Sequence, residues 1–151
     1  MTGGESLVVV VRRILPAPPD EVYDEWLDAD GMAEWMCPRP ARSTRIELDA
    51  RVGGQLRIDA EDQGTELTIS GRFLIVDRPH RLRFTWNCTA WHPPAPDSVV
   101  TVTFEPAEPG TLMTIHHAAL PPDQVGGHSA GWTRISGQLA DALDAHRGAD
   151  G

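Results

Sequence analysis

The side chains in this sequence that could do acid–base, nucleophilic or metal chemistry are few, and their spacing limits what they can do together. His117 ends the alternation Met113, Ile115, His117, which puts it on the apolar side of a strand. His128 stands four residues before Trp132, so the two share one face of a helix. An imidazole with an ordinary pKa of about 6.5 suits a general base, and it equally suits a polar contact that orients an apolar ligand. Two readings of the pair are open. The histidines are either contacts in a cavity walled by Phe84 and Trp86, or buried groups satisfied by backbone carbonyls in a Trp-filled core.

Other constellations point to less. His116 and His117 are adjacent on a strand and so face opposite sides, which sets them against sharing one ion; no metal site is expected. Cys88 follows Trp86 on the inward face and reads as inert filler, whereas Cys37, just before Pro38, is expected to be the more exposed thiol. Asp59, Glu61 and Asp62 fall in a turn and read as a solvated loop, and Arg57 and Arg83 as outward, salt-bridged strand residues. No Ser or Cys stands with a base and an orienting group at a defined spacing. All 13 basic residues are Arg, so Schiff-base chemistry and a P-loop lysine are excluded. No catalytic residue and no cofactor is assigned.

These side chains have to be positioned by a single domain. The chain has 151 residues, 40 % of them hydrophobic and 23 % charged, the balance of an ordinary globular protein, read as one domain over 1–151 with its core at about 6–146. A net charge of −9 opposes phosphate backbones and anionic lipid, so neither nucleic acid nor a membrane is an expected partner. With two cysteines, no apolar run of membrane length and no secretory signal pattern, a reduced, cytoplasmic protein is expected.

Ser6 to Leu15 is β-branched and stops at Pro16, predicting a strand. Pro18-Pro19-Asp20 opens a helix whose buried face is Val22, Tyr23, Trp26 and Leu27. After a break at Asp28 to Gly31, Met32 to Met36 reads as a second short helical turn carrying Trp35. From Ser43 the period becomes two, and six alternating segments with Gly- and Pro-marked turns run to His117. Trp132, Ile135, Leu139 and Leu143 then form a helical stripe, behind an N-terminal half weakened by Gly126, Gly127 and Gly131. An α+β fold follows: an antiparallel sheet with one apolar face must cover it, and the terminal helix is the one element long enough to do so. Tryptophan, with five copies, is the commonest aromatic, and its N–H is expected to find a partner when buried.

Several segments, in order, resemble the activator-of-heat-shock-ATPase-like branch of the START-like (SRPBCC) helix-grip superfamily. They are 17–23 (APPDEVY) with Trp26, 33–36 (AEWM), 49–54 (DARVGG), 71–74 (GRFL), 79–86 (PHRLRFTW), 110–117 (GTLMTIHH), and Gly127-His128 followed by Gly131-Trp132. The resemblance implies a curved antiparallel sheet gripping the C-terminal helix, with a cavity between them. It implies little chemistry, because binding proteins, cyclases, stress proteins and co-chaperones share the scaffold. The eukaryotic chaperone activator also has an N-terminal domain with an Asn-rich motif, for which this chain, with Asn87 its single Asn, offers no counterpart.

The expectation is a protein that binds a small apolar or aromatic molecule, with Trp35, Phe84, Trp86, Met113, His117, His128, Trp132 and Ile135 lining the cavity. One alternative is a bacterial interaction module for a chaperone or regulator protein, with an exposed Trp91 beside rigid prolines as its anchor. Another is a cyclase- or hydrolase-type enzyme with His117 or His128 as general base. Either a monomer or a homodimer is compatible with an open-edged sheet.

Overall fold

A computed structural model describes residues 8–150, with side chains to residue 146; Ser6 and Leu7, at the start of the expected first strand, lie outside the described residues. The chain forms β1 (Val9–Leu15), α1 (Pro19–Glu25), α2 (Ala29–Met32), β2 (Arg42–Leu48), β3 (Gln55–Asp62), β4 (Thr65–Asp77), β5 (Arg81–Cys88), β6 (Ser98–Pro106), β7 (Thr111–Ala118) and α3 (Val125–Asp150), the last preceded by a 3-10 turn at Pro122–Gln124. The seven strands make one antiparallel sheet in the order β1-β7-β6-β5-β4-β3-β2. Strands β2 to β7 are thus a meander, each paired with its neighbour in sequence. β1 closes on β7 with Val9 opposite His117 and Leu15 opposite Thr111.

Alternation decides which face is covered. Leu82, Phe84 and Trp86 on β5, Val100, Val102 and Phe104 on β6, and Met113, Ile115 and His117 on β7 are all buried. Their neighbours in sequence, such as Arg83 and His116, lie on the other face and are at least partly exposed. The stripe Trp132, Ile135, Leu139 and Leu143 on α3 is buried against this sheet, as the three-four-four spacing requires. Register shifts in β2 between Ser43 and Arg45, and in β4 between Phe73 and Ile75, each break the ladder locally, and such irregularities bend a sheet. Near the second, Gly71 leaves no room for a Cβ: one would overlap the Thr85 carbonyl of β5.

The α1–α2 region differs from its expected form in one detail. Asp28 caps α2 in an extended conformation, so the helix begins at Ala29 where a break was expected. The helical path continues as turns, with the Met36 N–H donating to the Met32 carbonyl at 2.9 Å. This delivers Trp26, Met32, Trp35 and Met36 to the core, all at most 2 % exposed. Trp26 packs edge-on against Trp35, with ring centroids 5.0 Å apart, and lies 6.1 Å from Trp132 of α3.

Two buried polar residues fix α3 to its surroundings. Gln138 accepts the Arg39 N–H at 2.9 Å and donates to the carbonyls of Trp35, at 3.0 Å, and Cys37, at 2.7 Å. One side chain thereby satisfies three backbone groups of the connection between α2 and β2. At β1, the Arg13 Nε donates to Ser136 Oγ at 3.1 Å.

Candidate functional site

A pocket of about 290 Å³ opens between the N-terminal half of α3, the β3–β5 end of the sheet and the connection after α2. α3 supplies Gly127, His128, Gly131, Trp132 and Ile135 to its wall, with Gln124 just before the helix. Trp86 comes from β5, Leu67 and Ile69 from β4, and Ala60 and Asp62 from β3. Met36, Cys37, Pro38 and Ala41 complete the wall from the connection that Gln138 anchors. Each position has a local reason. Leu67 and Ile69, two apart, share the inward face of a strand, as do Ala60 and Asp62. Gly127, Gly131 and Ile135 recur every four residues along one side of the helix. A Cβ at Gly127 would meet nothing within 4 Å, and one at Gly131 would meet only Pro38 Cγ at 3.8 Å. The missing side chains are therefore pocket space, not tight packing.

Of the eight residues expected at the cavity, the structure brings Trp86, His128, Trp132 and Ile135 to the pocket wall. Trp35, Phe84, Met113 and His117 do not reach it. They are at most 1 % exposed: Trp26 packs against Trp35 and Phe84, and Trp86 and Trp132 pack against His117, while Met113 is buried in the core. The sequence reading passed over the small residues, Ala41, Ala60, Gly127 and Gly131, and the connection 36–38. The four-residue spacing of the α3 glycines is the signal available for them, and in the sequence it reads as weakness of the helix and as part of the family resemblance.

His117 occupies a fully buried hydrogen-bond chain. The Trp132 indole N–H donates to His117 Nδ1 at 2.9 Å. An indole can only donate, so Nδ1 carries the lone pair and Nε2 the proton. Nε2–H then donates to Ser98 Oγ at 2.7 Å, and the Ser98 hydroxyl donates to the Trp86 carbonyl at 2.7 Å. Burial, reinforced by the neighbouring His128 and His116, lowers the His117 pKa from 6.5 to about 3. The ring is neutral with both nitrogens engaged, which removes it as a general base. Of the two open readings His117 follows the buried one, with two side chains as its partners in place of backbone carbonyls.

His128 is different. Its Nδ1 lies 2.9 Å from the Gln124 carbonyl, which can only accept, so the proton is on Nδ1 and Nε2 holds a lone pair. The ring is held between His117, at 5.2 Å, and Trp91, at 5.9 Å, both edge-to-face. Burial lowers its pKa, opposed in part by the bond to Gln124.

Two expectations about exposure are corrected. Trp91 is 3 % exposed, because the proline-rich loop folds it against His128, so it is no surface anchor. Cys37 is 7 % exposed, since the connection carrying it is drawn inward by Gln138, and burial pushes its thiol pKa up. Among the buried tryptophans, Trp35 donates to Glu25 Oε1 at 3.1 Å and Trp132 to His117, as expected. Trp26 and Trp86 have no hydrogen-bond partner for their N–H, since the side chains around them are aromatic rings.

No helix among the described residues is long and apolar enough to cross a membrane. The fold is shared with solved bacterial structures. Protein CV1439 from Chromobacterium violaceum is 29 % identical, with a TM-score of 0.78 over 90 % of this chain and 96 % of that one. An AHSA1 protein from Silicibacter pomeroyi is 22 % identical, with a TM-score of 0.80 over 92 % of this chain and 99 % of that one. DynU16, from the dynemicin biosynthetic locus, is 24 % identical at a TM-score of 0.73; the match covers 91 % of this chain and 47 % of that one. No curated protein matches the sequence. The model of one family matches residues 16–144, which include every pocket-lining residue. The chain belongs to that family, the Activator of Hsp90 ATPase homolog 1-like proteins.

Proposed function

We propose that the protein binds a small, mainly apolar molecule in the pocket between the sheet and the N-terminal half of α3. The observation that carries this reading is the pocket itself: about 290 Å³, at the lower end of the range for small-molecule sites, with apolar walls and a few polar groups. Helix glycines leave its space open at a cost to helix stability of about 1 kcal/mol each relative to alanine. A region serving only as core would gain by filling it. The fold is compatible with such a role, being shared with a protein of the dynemicin biosynthetic locus.

Native mass spectrometry of protein purified gently from its own host tests the proposal, alongside the variant Gly131→Leu. The leucine side chain would enter the pocket with only Pro38 nearby. The expected result is a reproducible small-molecule mass on the native protein, lost on denaturation and absent from the folded variant. A ligand retained equally by Gly131→Leu would place binding elsewhere and overturn the proposal.

A further inference from the structure

The polar groups of the pocket narrow the chemistry of its occupant, provided that the pocket is a ligand site as proposed above. His128 is the group whose direction is fixed most firmly. Its Nδ1–H is committed to the Gln124 carbonyl, and its ring is clamped between His117 and Trp91. The remaining ring nitrogen, Nε2, is an acceptor with no hydrogen-bond partner among the described residues, and it is not sealed from solvent. Among the described residues the one charged side chain on the wall is Asp62, a second acceptor and an anion. No arginine among the described residues lines the pocket, and the protein as a whole carries a net charge of −9. Against these acceptors the wall side chains among the described residues offer only neutral donors: the Gln124 amide, the Cys37 thiol and the indole N–H of Trp86, which is sealed from the opening. Trp86 and Trp132, with ring centroids 5.1 Å apart, present aromatic surface beside them.

We propose that the pocket selects an uncharged aromatic molecule that donates a hydrogen bond to His128 Nε2, a phenol or an aryl amine, and discriminates against carboxylic acids. A hydroxyl or amine on the ring satisfies the imidazole lone pair. An ether in the same place leaves acceptor facing acceptor. A carboxylate meets a neutral imidazole and the Asp62 charge, with no cation to replace its lost hydration.

Three bicyclic probes of similar size separate the cases: 2-naphthol, 2-methoxynaphthalene and 2-naphthoate, titrated at pH 7.5 and followed by isothermal calorimetry. One neutral hydrogen bond of ordinary net strength makes the naphthol bind about fivefold tighter than its methyl ether. The naphthoate is expected to bind at least tenfold more weakly than the naphthol. In His128→Phe, which keeps an aromatic ring against Trp91, the ratio of naphthol to ether should fall to about one. Because that ratio compares two ligands on one protein, a general distortion of the pocket cancels from it. Equal affinity for naphthol and ether in the native protein, or naphthoate binding as well as naphthol, overturns this selection while leaving the pocket a binding site. No binding by any of the three at millimolar concentration overturns the selection and the binding role together.

Discussion

Acid should weaken this protein through His117, and the structure sets both the direction and the size of the effect. The folded state holds the ring neutral, with its pKa lowered to about 3 from an ordinary 6.5. The unfolded chain takes up a proton near the ordinary value, and the folded chain refuses it. Above the unfolded pKa the two states bind protons alike, and stability is unaffected. As pH falls from about 6.5 towards about 3, the unfolded state gains protonation free energy that the native state lacks. At pH 5 the difference from this one residue is about 2 kcal/mol, and over the whole window it approaches about 5 kcal/mol. The first figure is already a sizeable share of the ~5–15 kcal/mol that holds a domain together. Urea unfolding followed by tryptophan fluorescence at pH 7.5 and pH 5.0 measures it, with His117→Gln as the comparison. Glutamine can accept from Trp132 and donate to Ser98 without titrating. The variant starts less stable, but its loss between the two pH values should be smaller by about 2 kcal/mol, about 1 M in urea midpoint. Glu25, whose pKa is raised, titrates in both proteins and cancels from the comparison, and His128, whose pKa burial lowers, is present in both. Parallel losses in the two proteins would refute the assignment of a buried neutral imidazole.

Three substitutions test the rest of the framework. Gly127→Ala should raise stability by up to about 1 kcal/mol through helix propensity, because the added methyl meets nothing; a lowered thermal midpoint would show that the position is tighter than described. Gln138→Leu should cost at least about 2 kcal/mol in denaturant unfolding, because it leaves the Arg39 N–H and the Trp35 and Cys37 carbonyls without their partner, and it should accelerate hydrogen exchange at Arg39. Gly71→Ala should lower stability by about 1–3 kcal/mol, since its Cβ would meet the Thr85 carbonyl and force β4 away from β5; an unchanged unfolding midpoint would contradict that close approach.

Legibility in the sequence followed periodicity. The strands from β3 to β7 and the stripe of α3 were readable because alternation and the three-four-four spacing reflect one-sided burial, which is local in sequence. The inward direction of His117 came from the same alternation. What it touches did not, because Ser98 and Trp132 arrive from other elements and no local rule pairs them. Pocket residues divided along similar lines. Trp86 and Trp132 were legible as large inward-facing residues, but the same inward alternation also nominated Phe84 and Met113, which with Trp35 fill the layer behind. A pocket is made where side chains are missing, and Gly127, Gly131, Ala41 and Ala60 carry little pattern for single-sequence reading. Cys37 and Trp91 were placed at the surface because prolines surround them. Prolines shape a loop's path and leave open which way it faces, and here Gln138 and His128 decide that.

The buried chain from Trp132 through His117 and Ser98 ends on the carbonyl of Trp86, and both of these tryptophans stand on the pocket wall. One buried bond, from Trp132 of α3 to His117 of β7, thus ties helix to sheet behind the pocket, and the two bonds that follow within the sheet fix the polarity of its acceptor. Sliding α3 along the sheet, or drawing it away to admit a bulkier guest, would break that buried bond and leave the Trp132 N–H and His117 Nδ1 unpaired. The separation of the two aromatic walls is therefore a built-in gauge. The connection opposite is tied as well, through Gln138 to Trp35, Cys37 and Arg39, so a guest has to fit an opening held from both sides.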